Sequence, residues 1–293
     1  MWQKIRRFIR VFLLLQFAIG IIVFSLSAAS TLFRTCATDY AATTTAEEIT
    51  DVQLMQILNS DTLLTPDTVF NQRCWYHNRL GKSCMSYHLD LGGVISSARF
   101  RDNGLAGFIT FKGAAESRLV WQSIYGELYR FRTDKVYHIA DSLRDLAARK
   151  NLSRNDFARL VVSFVQSMPY WFVVNASTCA DVDTERHPCI AGVPFGLLTP
   201  EETAAMSRGD CDSRALLLYT ILRYLTFRPL ILISDEYAHA MLALDVVGSG
   251  DNILYNGKQY YFWETTAEGW EAGMLPPNVS NRHYWKIALT YEF

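Results

Sequence analysis

The sequence predicts an α+β protein: a central buried helix packed on an antiparallel sheet, preceded by an N-terminal transmembrane helix. Three observations predict it. A run without charge, Val11 to Phe33, follows the basic residues Lys4, Arg6, Arg7 and Arg10. Apolar residues then recur at helical spacing between Val136 and Leu225. From Pro229 to Phe293 short apolar runs alternate with turn residues instead. Helices followed by strands is the α+β order. With 293 residues, half of them hydrophobic, the chain is long enough for a sizeable core in one large domain or two small ones. Three segments are expected: 1–35, an anchor or signal; 36–130, a tether and strand-rich region; and 131–293, the helix-then-strand domain.

The N-terminal run, at roughly 20 residues, can cross a bilayer as a helix. It exceeds the usual apolar core of a cleaved signal, although Ser25 to Ala29 is small enough for a cleavage site. Basic residues precede it, and Asp39, Glu47 and Glu48 follow it after Arg34. The positive-inside rule therefore keeps the N-terminus in the cytoplasm and sends the rest outside, periplasmic or extracellular. Over the whole chain 28 basic residues balance 29 acidic ones, which gives no support to nucleic-acid binding.

Residues 37–65 are polar, with a short helix expected near Val52 to Leu58. Tyr87, Leu89 and Leu91 alternate with His88 and Asp90, and Phe108, Thr110 and Lys112 with Ile109 and Phe111, so both stretches read as strands. Val136, Ile139, Ala140, Leu143 and Leu146 mark an amphipathic helix reaching Lys150. Ser153 and Asp156 signal a cap for the next, which carries Phe157, Leu160, Val161, Phe164, Val165 and Met168 and stops at Pro169. A long loop, 175–196, follows. Thr199-Pro200-Glu201-Glu202 opens a short helix that Gly209 breaks. The run Ala215 to Leu225 is apolar around nearly its whole circumference, which requires burial. Strands are expected at Pro229 to Ile233, Ala240 to Val246, Tyr260 to Thr265 and Trp285 to Phe293, with turns at 248–252 and 256–257.

Six cysteines are present, and the pairs 74/84 and 179/189 are each ten positions apart in turn-rich segments. In an exported domain they read as two local disulfides, leaving Cys211 unpaired and Cys36 beside the membrane. Cys74, His77, Cys84 and His88 are ligand types suited to zinc, but their spacing matches no zinc pattern, and His187 beside Cys189 is weaker still. No metal is expected.

Cys211 is the candidate nucleophile. Asp210 is a good N-cap, which puts Cys211 at the first helical position, where the helix dipole favours a thiolate. A thiol pKa of roughly 3.5–7.5 is expected in place of about 8.5. Gly209 allows a sharp entry to the helix and leaves room for a substrate. His239, between Ala238 and Ala240 at a strand head, is the candidate base. A hairpin closing between Val246 and Gly257 sets Glu264 opposite His239, where a carboxylate among apolar residues needs a partner. The Cys211 backbone N–H is the first candidate oxyanion donor. Gln166, off the core stripe of its helix, is the candidate second, against the alternative of a solvated amide. Asp210, Asp212 and Arg214 read as capping and helix-end charges. Trp171 and Trp263 are cleft walls or core.

Gly209-Asp-Cys-Asp-Ser-Arg-Ala215, His239-Ala240 and Trp263-Glu-Thr-Thr266 resemble, in order, the three motif blocks of the transglutaminase-like superfamily. Phe164 to Tyr170 is similar to the helix preceding the nucleophile helix in bacterial members. The likeness spans about residues 135 to 275. It implies a papain-like α+β fold and a Cys-His-Asp triad in peptidases, amidases or acyl transferases that need no organic cofactor. Glu264 stands where aspartate is usual.

The expected protein is a membrane-anchored, exported thiol enzyme acting on amide bonds of envelope peptides or proteins, by hydrolysis in preference to acyl transfer. The alternative is an inert papain-like module that binds a peptide or partner. One crossing with the bulk of the chain outside predicts that a compartment-sensitive reporter fused at Phe293 is active only in its extracytoplasmic form. Cytoplasmic activity would overturn both the orientation and the disulfide argument built on it.

Overall fold

Continuous apolar runs force burial on every side, and in the computed structural model the run 211–224 lies at the centre of the fold. The structure describes residues 63–65, 67–107, 117–131 and 136–293, which belong to one compact unit, Ile57–Phe293. The expected anchor, Cys36, the helix near Val52 and the strand at Phe108 to Lys112 lie outside the described residues. Among the described residues no helix is long and apolar enough to cross a membrane.

Strands β1 (Leu63–Thr65), β2 (Thr68–His77) and β3 (Gly81–Asp90) form an antiparallel meander. β3 buries Ser83, Met85, Tyr87 and Leu89 and exposes the residues between, as period-two alternation demands. Leu91, expected in this strand, instead begins helix α1 (Leu91–Arg99), because the Asp90 carboxylate accepts from Gly93 N–H and caps it. Helices α2 (Ser117–Phe131), α3 (Tyr137–Arg149) and α4 (Arg154–Gln166) follow. Ser153 caps α4 as expected. Two-residue strands β4 (Phe172–Val173) and β5 (Cys189–Ile190) pair in parallel at the base of the long loop.

Helix α5 (Pro200–Met206) opens with a full capping box between Thr199 and Glu202, and Ser207 ends it in the left-handed conformation. Helix α6 (Cys211–Tyr224) is buried on nearly every side, packed on the sheet and surrounded by α2, α3, α4 and α5. The sheet comprises β6 (Leu230–Ser234), β7 (His239–Leu244), β8 (Asn252–Tyr255), β9 (Lys258–Trp263) and β10 (Lys286–Leu289), in the order β10-β6-β7-β9-β8, every pair antiparallel. Leu230, Leu232, Met241, Ala243, Tyr260 and Phe262 pack with Val279 and Trp285 in one core cluster.

Three details differ from the sequence reading. β8, between the two expected turns, is an additional strand and hairpins directly with β9. Leu242 therefore faces Trp263, two positions from the expected register. Because the side-chain period is two, that offset keeps every residue on its expected face. The strict alternation of Trp285 to Phe293 breaks where β10 bulges between Ile287 and Leu289, burying Ala288 and Leu289 together.

The β2–β3 hairpin joins the helical layer. Trp75 Nε1 donates to Ser163 Oγ, Asn71 Nδ2 to Ala205 O and Tyr87 Oη to Ala204 O. The expected seam at 130/131 is thus bridged by buried hydrogen bonds.

Cys74 faces Cys84 across the hairpin and is bonded to it, and Cys179 is bonded to Cys189. Sulfurs so paired are not thiolate ligands for zinc. Each bridge closes a short loop, so serine at both cysteines of either pair is expected to lower stability by about 2–3 kcal/mol, read from the denaturant midpoint. A non-reducing digest that bridges Cys211 instead would contradict this pairing.

Candidate active site

Cys211 begins α6, and Asp210 is its N-cap, accepting from the Ser213 N–H and hydroxyl. The thiol is the free cysteine of the described residues and is 6 % exposed. Its hydrogen is directed at Asp212 Oδ2, 3.5 Å away, and the Ala240 backbone N–H acts on the sulfur in favour of its thiolate. Tyr125 on α2 donates its hydroxyl to the other Asp212 oxygen.

These surroundings invert the expected thiol acidity. Burial raises the Cys211 pKa well above its ordinary value, and the charges of Asp212 and then Asp210 raise it further; the Ala240 N–H opposes them. Burial likewise lifts both carboxylates above the usual range, with the charge of Asp212 adding to the rise of Asp210. These surroundings favour the protonated thiol.

His239 starts β7 after Ala238, which takes the left-handed conformation at φ 45. The imidazole Nε2 lies 2.8 Å from Glu264 Oε2. The other Glu264 oxygen, Oε1, accepts from Thr265 N, Thr266 N and Thr266 Oγ1 at 2.7–2.8 Å. Burial would raise the Glu264 pKa, but the His239 bond and the Thr266 donors win and hold it below its ordinary value. An ionised carboxylate on Nε2 makes that nitrogen the donor, so neutral His239 keeps its lone pair on Nδ1. The pair Glu264–His239 is assembled; the thiol is hydrogen-bonded to Asp212 and not to the ring.

Gln166 is a correction. It is neither a solvated amide nor an available oxyanion donor, because its buried Nε2 donates to Glu264 O at 2.7 Å and Trp270 O at 3.0 Å. Both amide hydrogens are committed to the loop that carries Glu264. Gly209 also acts differently from expectation. A Cβ there would meet Ser213 Cβ at 3.1 Å and Thr203 Cγ2 at 3.4 Å, so glycine serves the packing of α5 on α6. Arg214, expected as a helix-end charge, is fully buried and binds the carbonyls of Met168, Gly209, Thr265 and Thr266. Trp263 is core; its Nε1 donates to Trp270 O.

No protein-family model and no curated protein matches the chain. Among solved structures, one from Cytophaga hutchinsonii, provisionally described as a cysteine protease, matches at 10 % identity over 78 % of each chain, with a TM-score of 0.23. A likeness that slight carries no argument, and the chemistry rests on the geometry above.

Asp212 and Tyr125 are the residues that sequence reasoning missed. A carboxylate directly after a helix-initial cysteine was the available signal; nothing marked Tyr125, 87 positions away. Alkylation of Cys211 in the free protein is expected to be slow at neutral pH and to rise with pH beyond the range of a free thiol, about 8.5. Asp212→Asn keeps an acceptor for Tyr125 and removes the charge, so it should speed alkylation at pH 7 by roughly tenfold, one unit of pKa. An unchanged rate would show that the carboxylate does not hold the thiol protonated.

Proposed function

We propose that the chain is a transglutaminase-like thiol enzyme acting on amide bonds, with Cys211 as nucleophile, His239 as base and Glu264 as the acid that orients the ring. The observation that carries this is the buried Glu264–His239 pair, which leaves Nδ1 as the ring's free nitrogen at the strand head whose next amide, Ala240 N–H, favours the Cys211 thiolate. The α+β layering, with a buried nucleophile helix on an antiparallel sheet, supports a papain-like arrangement.

In this reading the thiol turns from Asp212 to Nδ1 as substrate enters. Nδ1 takes the thiol proton while sulfur bonds to the amide carbonyl carbon, and the resulting oxyanion meets the Cys211 N–H. That N–H has no intrahelical acceptor, being in the first turn of α6. The imidazolium passes its proton to the leaving nitrogen as the C–N bond breaks. Water then attacks the thioester, giving its proton to Nδ1, and the acid departs with the thiol restored. Hydrolysis is preferred to acyl transfer because no amine-recruiting feature is present among the candidate residues. The uncharged run 11–33 and the two disulfides support a single-pass, extracytoplasmic protein with residues 131–293 as the catalytic segment and envelope peptides as substrates.

A second reading has its own observation. The thiol bonds a carboxylate and is made less acidic, which favours an inert peptide-binding module. A peptide electrophile that mimics an amide carbonyl separates the two. It is expected to label Cys211, with His239→Ala slowing labelling by about 10²-fold or more and Glu264→Gln by less. Labelling indifferent to His239, or absent, would favour the binding module.

A further inference from the structure

Among the described residues three arginines are buried to 2 % exposure or less, and they are satisfied very differently. Arg101 is paired with Glu202 at 2.5 Å and Asp102 at 2.8 Å. Arg214 is spread over four carbonyls. Arg208 has one hydrogen bond, Nε to Met206 O at 3.0 Å. Its Nη2 is buried with no partner, and among the described residues it forms no ion pair. Burial lowers its pKa, with no carboxylate to oppose the shift. The ring of Trp171 lies against the charge, its centroid 4.3 Å from the guanidinium carbon. A buried cation without an anion is costly to keep, and a cation–π contact offsets only about 0.5–2 kcal/mol of that cost.

Its position gives the cost a use. Arg208 is three residues before Cys211, so at most ~10 Å of chain separates their Cα atoms. Trp171 N–H donates to Gly209 O, and Tyr170 bridges Gly209 in parallel, so the Trp171–Arg208 stack borders the strand of chain that enters the nucleophile helix. Successive residues of an extended segment face opposite ways, which lets Tyr170 pack under Arg214 while Trp171 covers Arg208.

We propose that Arg208, shielded by Trp171, is a specificity residue that recognises a carboxylate on the substrate within about three residues of the scissile amide. A guanidinium binds a carboxylate as a two-pronged fork, and its free Nη2 lacks only such an acceptor. The placement of that carboxylate relative to an amide rests on the thiol-enzyme reading; the anion site itself rests on Arg208.

The test uses the full chain carrying Cys211→Ala, so that nothing is turned over, and calorimetric titration. The ligands are N-acetylglutamate α-amide, N-acetylalanine, their neutral counterparts N-acetylglutamine α-amide and N-acetylalanine amide, and inorganic phosphate. One carboxylate ligand is expected to bind at least ~10-fold more tightly than its neutral counterpart, as a charge-assisted pair requires. Which one does so separates an acidic side chain from a free chain end. The preference should vanish in Arg208→Gln and weaken in Arg208→Lys, which keeps the charge without the fork. Equal affinities, tighter phosphate binding, or a preference that survives Arg208→Gln would overturn the proposal. Should Arg208→Gln not fold, the ligand pairs and Arg208→Lys still decide it. A carboxylate preference beside a Cys211 unreactive to peptide electrophiles would end the thiol-enzyme reading alone. A reactive Cys211 without the preference would end the anion site alone.

Discussion

Four backbone carbonyls from three separate stretches of chain converge on the guanidinium of Arg214: Met168 after α4, Gly209 before α6, and Thr265 and Thr266 after β9. Gly209 O also accepts from Trp171 N–H, but carbonyls at a helix exit and in a buried loop lack a full ladder, and an unpaired buried carbonyl is costly. One planar cation with five donors answers all four. Held this way, the entry to the nucleophile helix and the loop that carries Glu264 are fixed to each other. Gln166 pins the same loop from α4. Glu264 then receives three donors on one oxygen and presents the other to His239. The pair has its geometry because its supports leave little freedom for another.

The thiol is governed by an opposing set of forces. A helix N-terminus stabilises a negative charge by about 0.3–1 kcal/mol, reaching ~2 in favourable sites. Full burial can move a pKa by ~3–5 units, each unit being about 1.4 kcal/mol. At Cys211 burial acts together with carboxylates on both sides, so the helix end loses. A thiol so held is kept neutral and out of side reactions until something changes its surroundings. In the thiol-enzyme reading that event is substrate entry, which displaces the contact with Asp212 and brings sulfur to Nδ1. Tyr125 links α2 to this contact, giving the region before residue 131 a place in the site.

Short-range rules made much of this legible in the sequence. Caps at Ser153, Thr199 and Asp210 are local bonds between a side chain and an amide three residues on, and all three are present. The all-round apolar run of α6 required burial wherever the helix packed, and the ten-residue spacing of two cysteine pairs suited closure within one hairpin or loop. His239 and Glu264 could be matched because a sheet conserves facing through a shift of two residues, even with an additional strand between them. The tertiary structure alone decided the rest. Gln166, Asp212 and Arg214 are polar residues on helices, where local pattern reads them as solvated ends or caps, and no local pattern marks Arg208 or Tyr125. Burial made them a brace, a thiol partner, a carbonyl clamp and an unpaired cation. Which of these each became depended on segments from 37 to 104 residues away, and no periodicity encodes contacts that arise from packing.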